Sequence, residues 1–240
     1  MITAQSTMDK QQHLRIRDIE IILEPAEGVF IPSPNGLFYA NSVTINPGER
    51  VLDIGTGSGV LAIMAAKLGA SVVATDTDPR AIAAAGRNAP LNEVEIDYRL
   101  GSLFAGCAAQ FDVIMANLPN EIVAPASLSH LEEAEARVFA GGERGNEHIL
   151  ALLGEARAHM HAGSRLYLPI HTLTDYHGTL DVALRDYRLR LLSLSPLPVK
   201  PFVTEHLEFY QRLNDAGIIR IFQDQGRWYS YGYIYEAGII

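Results

Sequence analysis

The stretch Val51-Leu52-Asp53-Ile54-Gly55-Thr56-Gly57-Ser58-Gly59 constrains the fold more than any other part of the chain. A short segment suited to a buried strand runs into glycines at alternate positions, and an apolar, Ala-rich segment follows at once. Glycine there lets the backbone turn tightly and lets a ligand approach where a Cβ would otherwise stand. The helix that follows presents unpaired N–H groups and the positive end of its dipole, which suit a carboxylate or phosphate. A ligand site is expected where this strand ends.

From Arg50 onward short apolar runs alternate with Ala-rich helical ones, the pattern of a parallel sheet covered on both faces. Strands are predicted at 51–54, 71–75, 94–100, 111–116 and 165–170. Helices are predicted at 58–68, closed by Gly69, from Asp78-Pro79 to Asn88, at 127–139 and at 146–161. Beyond 170 the pattern gives a helix at 175–186, a strand at 187–194, a break at Pro196, Pro198 and Pro201, and a helix at 203–214. Strands 218–222 and 227–235, joined across Asp224-Gln225-Gly226, end the sheet as an antiparallel hairpin. Ahead of the sheet, 13–23 favours one or two short strands and 35–43 a short helix, with Pro25, Pro32 and Pro34 between them. The fold class expected is α/β: a Rossmann-like, doubly wound, mostly parallel seven-stranded sheet with an antiparallel C-terminal hairpin and an N-terminal cap.

Composition narrows the partners. With 240 residues, 48% hydrophobic and 20% charged, the chain can bury a core and fits a single domain. Its 28 acidic and 19 basic residues give 19 − 28 = −9, and no dense Lys/Arg cluster offsets that charge. Such a surface repels a polyanion, so nucleic acid is disfavoured as a partner. The single Cys107 cannot form an intrachain disulfide or a thiolate metal site and fits a reducing compartment. Residues 1–12 lack the apolar stretch of a signal peptide, and no apolar run approaches the roughly 18 residues of a membrane span. A soluble, cytoplasmic protein is expected. His159 and His161, two apart on a predicted helix, point to different faces, so no metal site is expected.

A dinucleotide fingerprint would place its third glycine where Val60 stands. The pattern of Gly55, Gly57 and Gly59, preceded by Asp53 and followed by Asp76 at the end of the second strand, instead resembles the class I S-adenosylmethionine (AdoMet)-dependent methyltransferases. The resemblance implies AdoMet as cofactor, with Asp76 on the ribose hydroxyls, since a carboxylate can accept two hydrogen bonds. It also implies Asp53, Gly55, Thr56, Gly57, Gly59 and Thr77 around the cofactor, and Ser102 and Leu103 beside the adenine, where the family usually has an aspartate at position 102. On this basis residues 1–46 are the cap segment and 47–240 the methyltransferase domain.

Asn117-Leu118-Pro119-Asn120, at the end of the fourth strand, is similar to the Asn-Pro-Pro-aromatic motif of the HemK/PrmC-like branch. Asn117 and Pro119 match, while Leu118 and Asn120 depart. Gly141-Gly142-Glu143-Arg144-Gly145 and Gly101-Ser102-Leu103-Phe104 extend the likeness, which covers roughly 24–170. The methyl group of a sulfonium is already activated, so catalysis needs alignment of a lone pair behind it. Asn117, also beside the cofactor, could orient that nucleophile with Pro119, and His171, after the fifth strand, could take its proton. Phe30, Tyr39, Leu118 and Asn120 are the candidate substrate contacts. Tyr229, Tyr231, Tyr233 and Tyr235 alternate along the last strand and share a face better suited to packing. Without an aromatic at 120, the expectation leans to nitrogen methylation of a small-molecule acceptor. The alternatives are a protein glutamine N5-methyltransferase of HemK/PrmC type and an AdoMet-binding module without catalysis.

Overall fold

The computed structural model describes residues 11–128 and 139–240. Ten strands are named in chain order: β1 Gln12–Ile16, β2 Ile19–Leu23, β3 Arg50–Ile54, β4 Ser71–Asp76, β5 Asp97–Leu100, β6 Phe111–Ala116, β7 Met160–His171, β8 Tyr187–Pro198, β9 Ile221–Asp224 and β10 Arg227–Ile239. The helices that matter for the site are α1 Pro34–Ser42, α2 Val60–Lys67, α3 Pro79–Leu91, α4 Pro125–Leu128, α5 Glu147–Ala156, α6 Tyr176–Asp186, α7 Pro201–Glu205 and α8 Leu207–Asp215. Most of the helix expected over 127–139 lies outside the described residues.

The main sheet has the order β5-β4-β3-β6-β7-β10-β8, with β9 paired to β10 beside that path. Strands β5, β4, β3, β6 and β7 run parallel, and β10 is antiparallel to β7, β8 and β9. This is the doubly wound, mostly parallel α/β sheet expected from the sequence, with eight strands rather than seven and with β8, not the β9–β10 hairpin, at its edge. The chain winds from β3 outward to β5 and then returns to the other side of β3 as β6. The carboxyl ends of β3 and β6 therefore flank the point where the winding reverses, which is where open α/β sheets hold ligands.

Alternate residues of the central strands enter separate cores. Val51, Val113, Met115 and Tyr167 pack with α2, α1 and the β1–β2 hairpin. Leu52, Ile54, Ile114, Leu166 and Leu168 pack with Leu152 and Leu153 of α5 on the opposite face. Burial on both faces explains why these strands read as unbroken apolar runs. Asn88 on α3 and Asn92 at its C-cap, both buried, fasten the hairpin to this body. The Asn92 side chain pairs with both backbone groups of Ile22, at 2.9 and 2.7 Å, and Asn88 accepts from the Glu24 N–H at 2.8 Å while donating to the Ser58 carbonyl at 2.9 Å.

Several boundaries differ from the sequence reading. Strand β5 starts at Asp97 rather than Val94, because Glu93 adopts a left-handed φ of 58° and Val94 closes the turn onto Ala89. Helix α5 stops at Ala156, and β7 begins at Met160 rather than 165, so His161 lies on a strand and His159 in a single 3-10 turn. Strand β8 continues through Pro196 to Pro198. It is the edge of the sheet, paired only with β10 along this path, and proline is tolerated where no second ladder needs an N–H. The helix expected at 203–214 is interrupted at His206. Strand β9 runs later than 218–222 and β10 reaches Ile239, but their turn is where Gln225 and Gly226 predict it, both with positive φ.

Candidate functional site

Register brings the candidate residues to one level. Ile54 is opposite Thr75 on one side and Ala116 on the other, so Gly55, Asp76 and Asn117 emerge together from three adjacent strands. A cavity of about 870 Å³ opens there. That volume suits a drug-sized ligand. Of the residues singled out in the sequence, Phe30, Gly55, Gly57, Asp76, Thr77, Ser102, Leu103, Asn117, Leu118, Pro119, Asn120 and His171 line it.

The glycine loop is shaped by what surrounds it. Gly55 has φ +72° and a Cβ there would lie 2.8 Å from Leu118 Cδ2, while Gly57 has φ +54° and faces Phe30. The N–H groups of Gly55 and Thr56 both donate to the Thr75 carbonyl, at 2.8 and 3.0 Å, binding the loop to β4. Asp76 then holds the next turn in place. Its Oδ2 accepts from the Gly57 N–H and its Oδ1 from the Asp78 N–H, each at 2.9 Å. A carboxylate fixed by two backbone donors and bordering a cavity still has lone pairs for a diol.

Four expected site residues do not line the cavity. Gly59, at the N-cap of α2 with φ +86°, is needed for helix packing, because a Cβ would come within 3.0 Å of Ala85 Cβ. Thr56 is buried and donates its hydroxyl to Asp53 Oδ2 at 2.8 Å. Asp53 is fully buried, with Oδ1 lacking a partner, and burial pushes its carboxyl up to about 7, helped by the nearby Asp76 charge. Tyr39, with Phe30 an expected substrate contact from the cap, is 1% exposed. Its hydroxyl donates to the Tyr167 carbonyl at 3.0 Å and accepts from the Ala116 N–H at 3.1 Å, so it clamps the residue that precedes Asn117. Such a role leaves no periodic signature in a sequence.

Opposite the glycine loop lies a polar arm that the sequence reading largely missed. His171 is 7% exposed, and burial holds its imidazole below the usual range. Asn35 Nδ2 lies 3.3 Å from its Nε2. An amide N–H can only donate, so Nε2 accepts and a neutral ring carries its proton on Nδ1. Glu121 is buried four positions after Asn117, and its Oε1 pairs with Lys200 Nζ at 2.6 Å. Glu121 was findable as a lone carboxylate ahead of apolar Ile122 and Val123, whereas Lys200 offers no signal, since it arrives from beyond β8. The glycines of 141–145 support this arm: a Cβ on Gly145 would lie 2.8 Å from the Ile122 backbone N, so the loop packs directly beneath Glu121 and Ile122.

His159 and His161 do have uses, though not on a helix. His159 stacks on Phe104 with ring centres 4.3 Å apart, and His161 Nε2 lies 3.0 Å from Asp112. Among the described residues no three His, Cys, Asp or Glu side chains group as a metal site, and no helix is long and apolar enough to cross a membrane. The tyrosines of β10 form a ladder on one face, with Tyr233 between Tyr231 and Tyr235 at ring distances of 6.4 and 6.1 Å, and Tyr233 alone of the four borders the cavity.

Comparison with known proteins decides the family of folds. The T. thermophilus 16S rRNA N2 G1207 methyltransferase, solved in complex with AdoMet and guanosine, superposes with a TM-score of 0.58 at 17% identity, covering 94% of this chain and 49% of that one. The fold is that of a class I AdoMet-dependent methyltransferase. Residues 37–144 of this methyltransferase fold match the family model of ribosomal protein L11 methyltransferase (PrmA). Over 113 residues the chain is 43% identical to the ribosomal protein L11 methyltransferase of Symbiobacterium thermophilum, covering 47% of this chain and 36% of that protein. Over 80 residues it is 49% identical to that of Caldicellulosiruptor saccharolyticus, covering 33% and 26%. The matched segments span about a third of these relatives' length. These matches show similarity to ribosomal protein L11 methyltransferases and do not bear on the HemK/PrmC-like likeness of the tetrad at 117–120. His171 and Lys200 lie beyond the matched region.

Proposed function

We propose that this chain binds AdoMet and transfers its methyl group to a nitrogen of a protein acceptor in the cytoplasm, with residues 1–46 acting as a cap on the domain at 47–240. The observation that carries the reading is the Asp76 carboxylate, anchored by the Gly57 and Asp78 N–H groups at the cavity wall. Those bonds orient it for the two ribose hydroxyls. Gly55 and Gly57 supply a wall without Cβ atoms for the amino-acid tail, and buried Asp53 behind them has an oxygen free of partners. Thr77, Ser102 and Leu103 border the same end and suit the adenine.

AdoMet supplies a methyl group already activated by its positive sulfur. The remaining work is alignment, and Asn117 is the residue for it: its side-chain carbonyl would hold an acceptor N–H, and Tyr39 fixes the backbone from which it projects. Gly36 of α1 borders it, since a Cβ there would stand in ordinary contact with Asn117 Nδ2 at 3.5 Å. Neutral His171, held by Asn35, can accept a proton at Nε2 once an acceptor displaces the Asn35 amide. A protein acceptor is favoured over a small molecule because the relatives are named for ribosomal protein L11.

Calorimetric titration with AdoMet tests the cofactor site. The wild type should bind, and Asp76→Ala should weaken binding by at least about tenfold, the loss of roughly one charge-assisted hydrogen bond. Labelled-methyl transfer to ribosomal protein L11 then tests the acceptor. Failure to bind AdoMet, together with binding of NAD, would sink the whole reading.

A further inference from the structure

Lys200 places an ammonium inside the cavity that also contains Asn117. Its Nζ sits 2.6 Å from Glu121 Oε1, 3.9 Å from the centre of the Phe139 ring and 5.9 Å from that of Phe202. The Glu121 side chain is 5% exposed and its Oε2 has no partner. A carboxylate and aromatic faces around one ammonium form the kind of cage that recognises a cationic amine. Here the amine belongs to the protein itself. Glu121 follows Asn117 by four residues, so the cage lies within about 14 Å of chain from the alignment residue, and the flexible lysine stem can carry Nζ across several ångströms of that gap.

We propose that Lys200 is a methyl acceptor of this site, so that the protein methylates its own cavity lysine. The proposal rests on the AdoMet reading above. The Lys200 ammonium first gives a proton to Glu121, its hydrogen-bond partner. The freed nitrogen lone pair then bonds to the sulfonium methyl carbon while the carbon–sulfur bond breaks and its electron pair stays on sulfur. The products are a protonated N-methyl-lysine and the neutral thioether S-adenosylhomocysteine, and Glu121 releases its proton to water. Nitrogen is cationic at the start and the end, and the positive charge lost by sulfur leaves as the proton released to water, so the total is unchanged.

The full chain has three lysines, Lys10, Lys67 and Lys200, which makes the test direct. Purified protein is incubated with AdoMet, followed by intact-mass analysis and peptide mapping, with calorimetry confirming AdoMet binding in the same preparation. Methyl increments are expected on Lys200 and not on Lys67, at a rate independent of protein concentration, and should be absent in Lys200→Arg. Glu121→Gln should slow them by at least about tenfold. A second readout needs no turnover: S-adenosylhomocysteine should protect Lys200, but not Lys67, from acetylation by acetic anhydride. Bound AdoMet with Lys200 neither methylated nor protected overturns the proposal and leaves the cofactor reading intact. Absence of AdoMet binding overturns both, and equal modification of Lys67 shows unselective chemistry and overturns the proposal alone.

Discussion

Replacing Asp53 by Asn should make the protein more stable, and increasingly so as the pH rises. The Asp53 carboxyl is fully buried, one oxygen has no partner, and its pKa is pushed from 3.8 to about 7 by desolvation, against the Thr56 hydrogen bond and with the Asp76 charge adding to the rise. Between those values the unfolded chain has lost the proton while the native protein keeps it. The native state therefore binds more protons, and stability falls as pH rises. At roughly 1.36 kcal/mol per unit, the interval 7 − 3.8 = 3.2 amounts to about 4 kcal/mol above the native pKa. Asn cannot ionise and keeps the shape of the neutral acid, including an acceptor for Thr56. Its advantage should be about 2 kcal/mol near pH 5 and about 4 kcal/mol near pH 8. Urea unfolding of both proteins at these two pH values measures the gap. Buried His171, held below 6.5, acts in the opposite direction, losing stability as pH falls through 6.5, but it does so in both proteins and cancels. A gap that stays the same at both pH values would refute the reasoning, because it would mean that Asp53 ionises natively as it does unfolded.

Other substitutions separate the roles assigned above. Asn117→Ala should leave AdoMet affinity nearly unchanged and slow methyl transfer by at least about tenfold, or roughly 1.4 kcal/mol of barrier; unchanged turnover removes Asn117 from the site. Tyr39→Phe should cost about 2 kcal/mol or more in urea unfolding, since the Ala116 N–H and Tyr167 carbonyl both lose a buried partner. Gly59→Ala should lower stability by about 1–3 kcal/mol through its positive φ and the Ala85 contact. Calorimetry on the folded fraction of that variant should still give near wild-type AdoMet affinity, and a selective loss of affinity would return Gly59 to the cofactor wall.

The strand, loop, helix and terminal acid around Gly55 and Asp76 were legible in the sequence because local rules write them. Apolar runs mark strands buried on both faces, glycines mark positive φ, and an acid at a strand end faces the ligand edge. The same rules placed Gln225 and Gly226 at the hairpin turn. Prolines misled at β8 because a proline reports only its own missing N–H, and whether a neighbouring strand wants that N–H depends on sheet order. An aromatic residue of a cap suits either a substrate contact or packing, and only docking of α1 against the sheet face commits the Tyr39 hydroxyl to backbone groups of β6 and β7.

What the sequence by itself determined is the glycine-loop side of the cavity, the proposed cofactor side, where each residue lies within a short reach of the next along the chain and backbone geometry fixes the contacts. What only the tertiary structure decided is the facing side of the cavity, proposed to take the acceptor. Asn35, Glu121, His171 and Lys200 come from four separated segments, and their meeting depends on β10 inserting between β7 and β8 and carrying the chain after β8 back over the sheet edge. Long-range closure of that kind is set by packing of whole elements against each other, and no local pattern of residues encodes it.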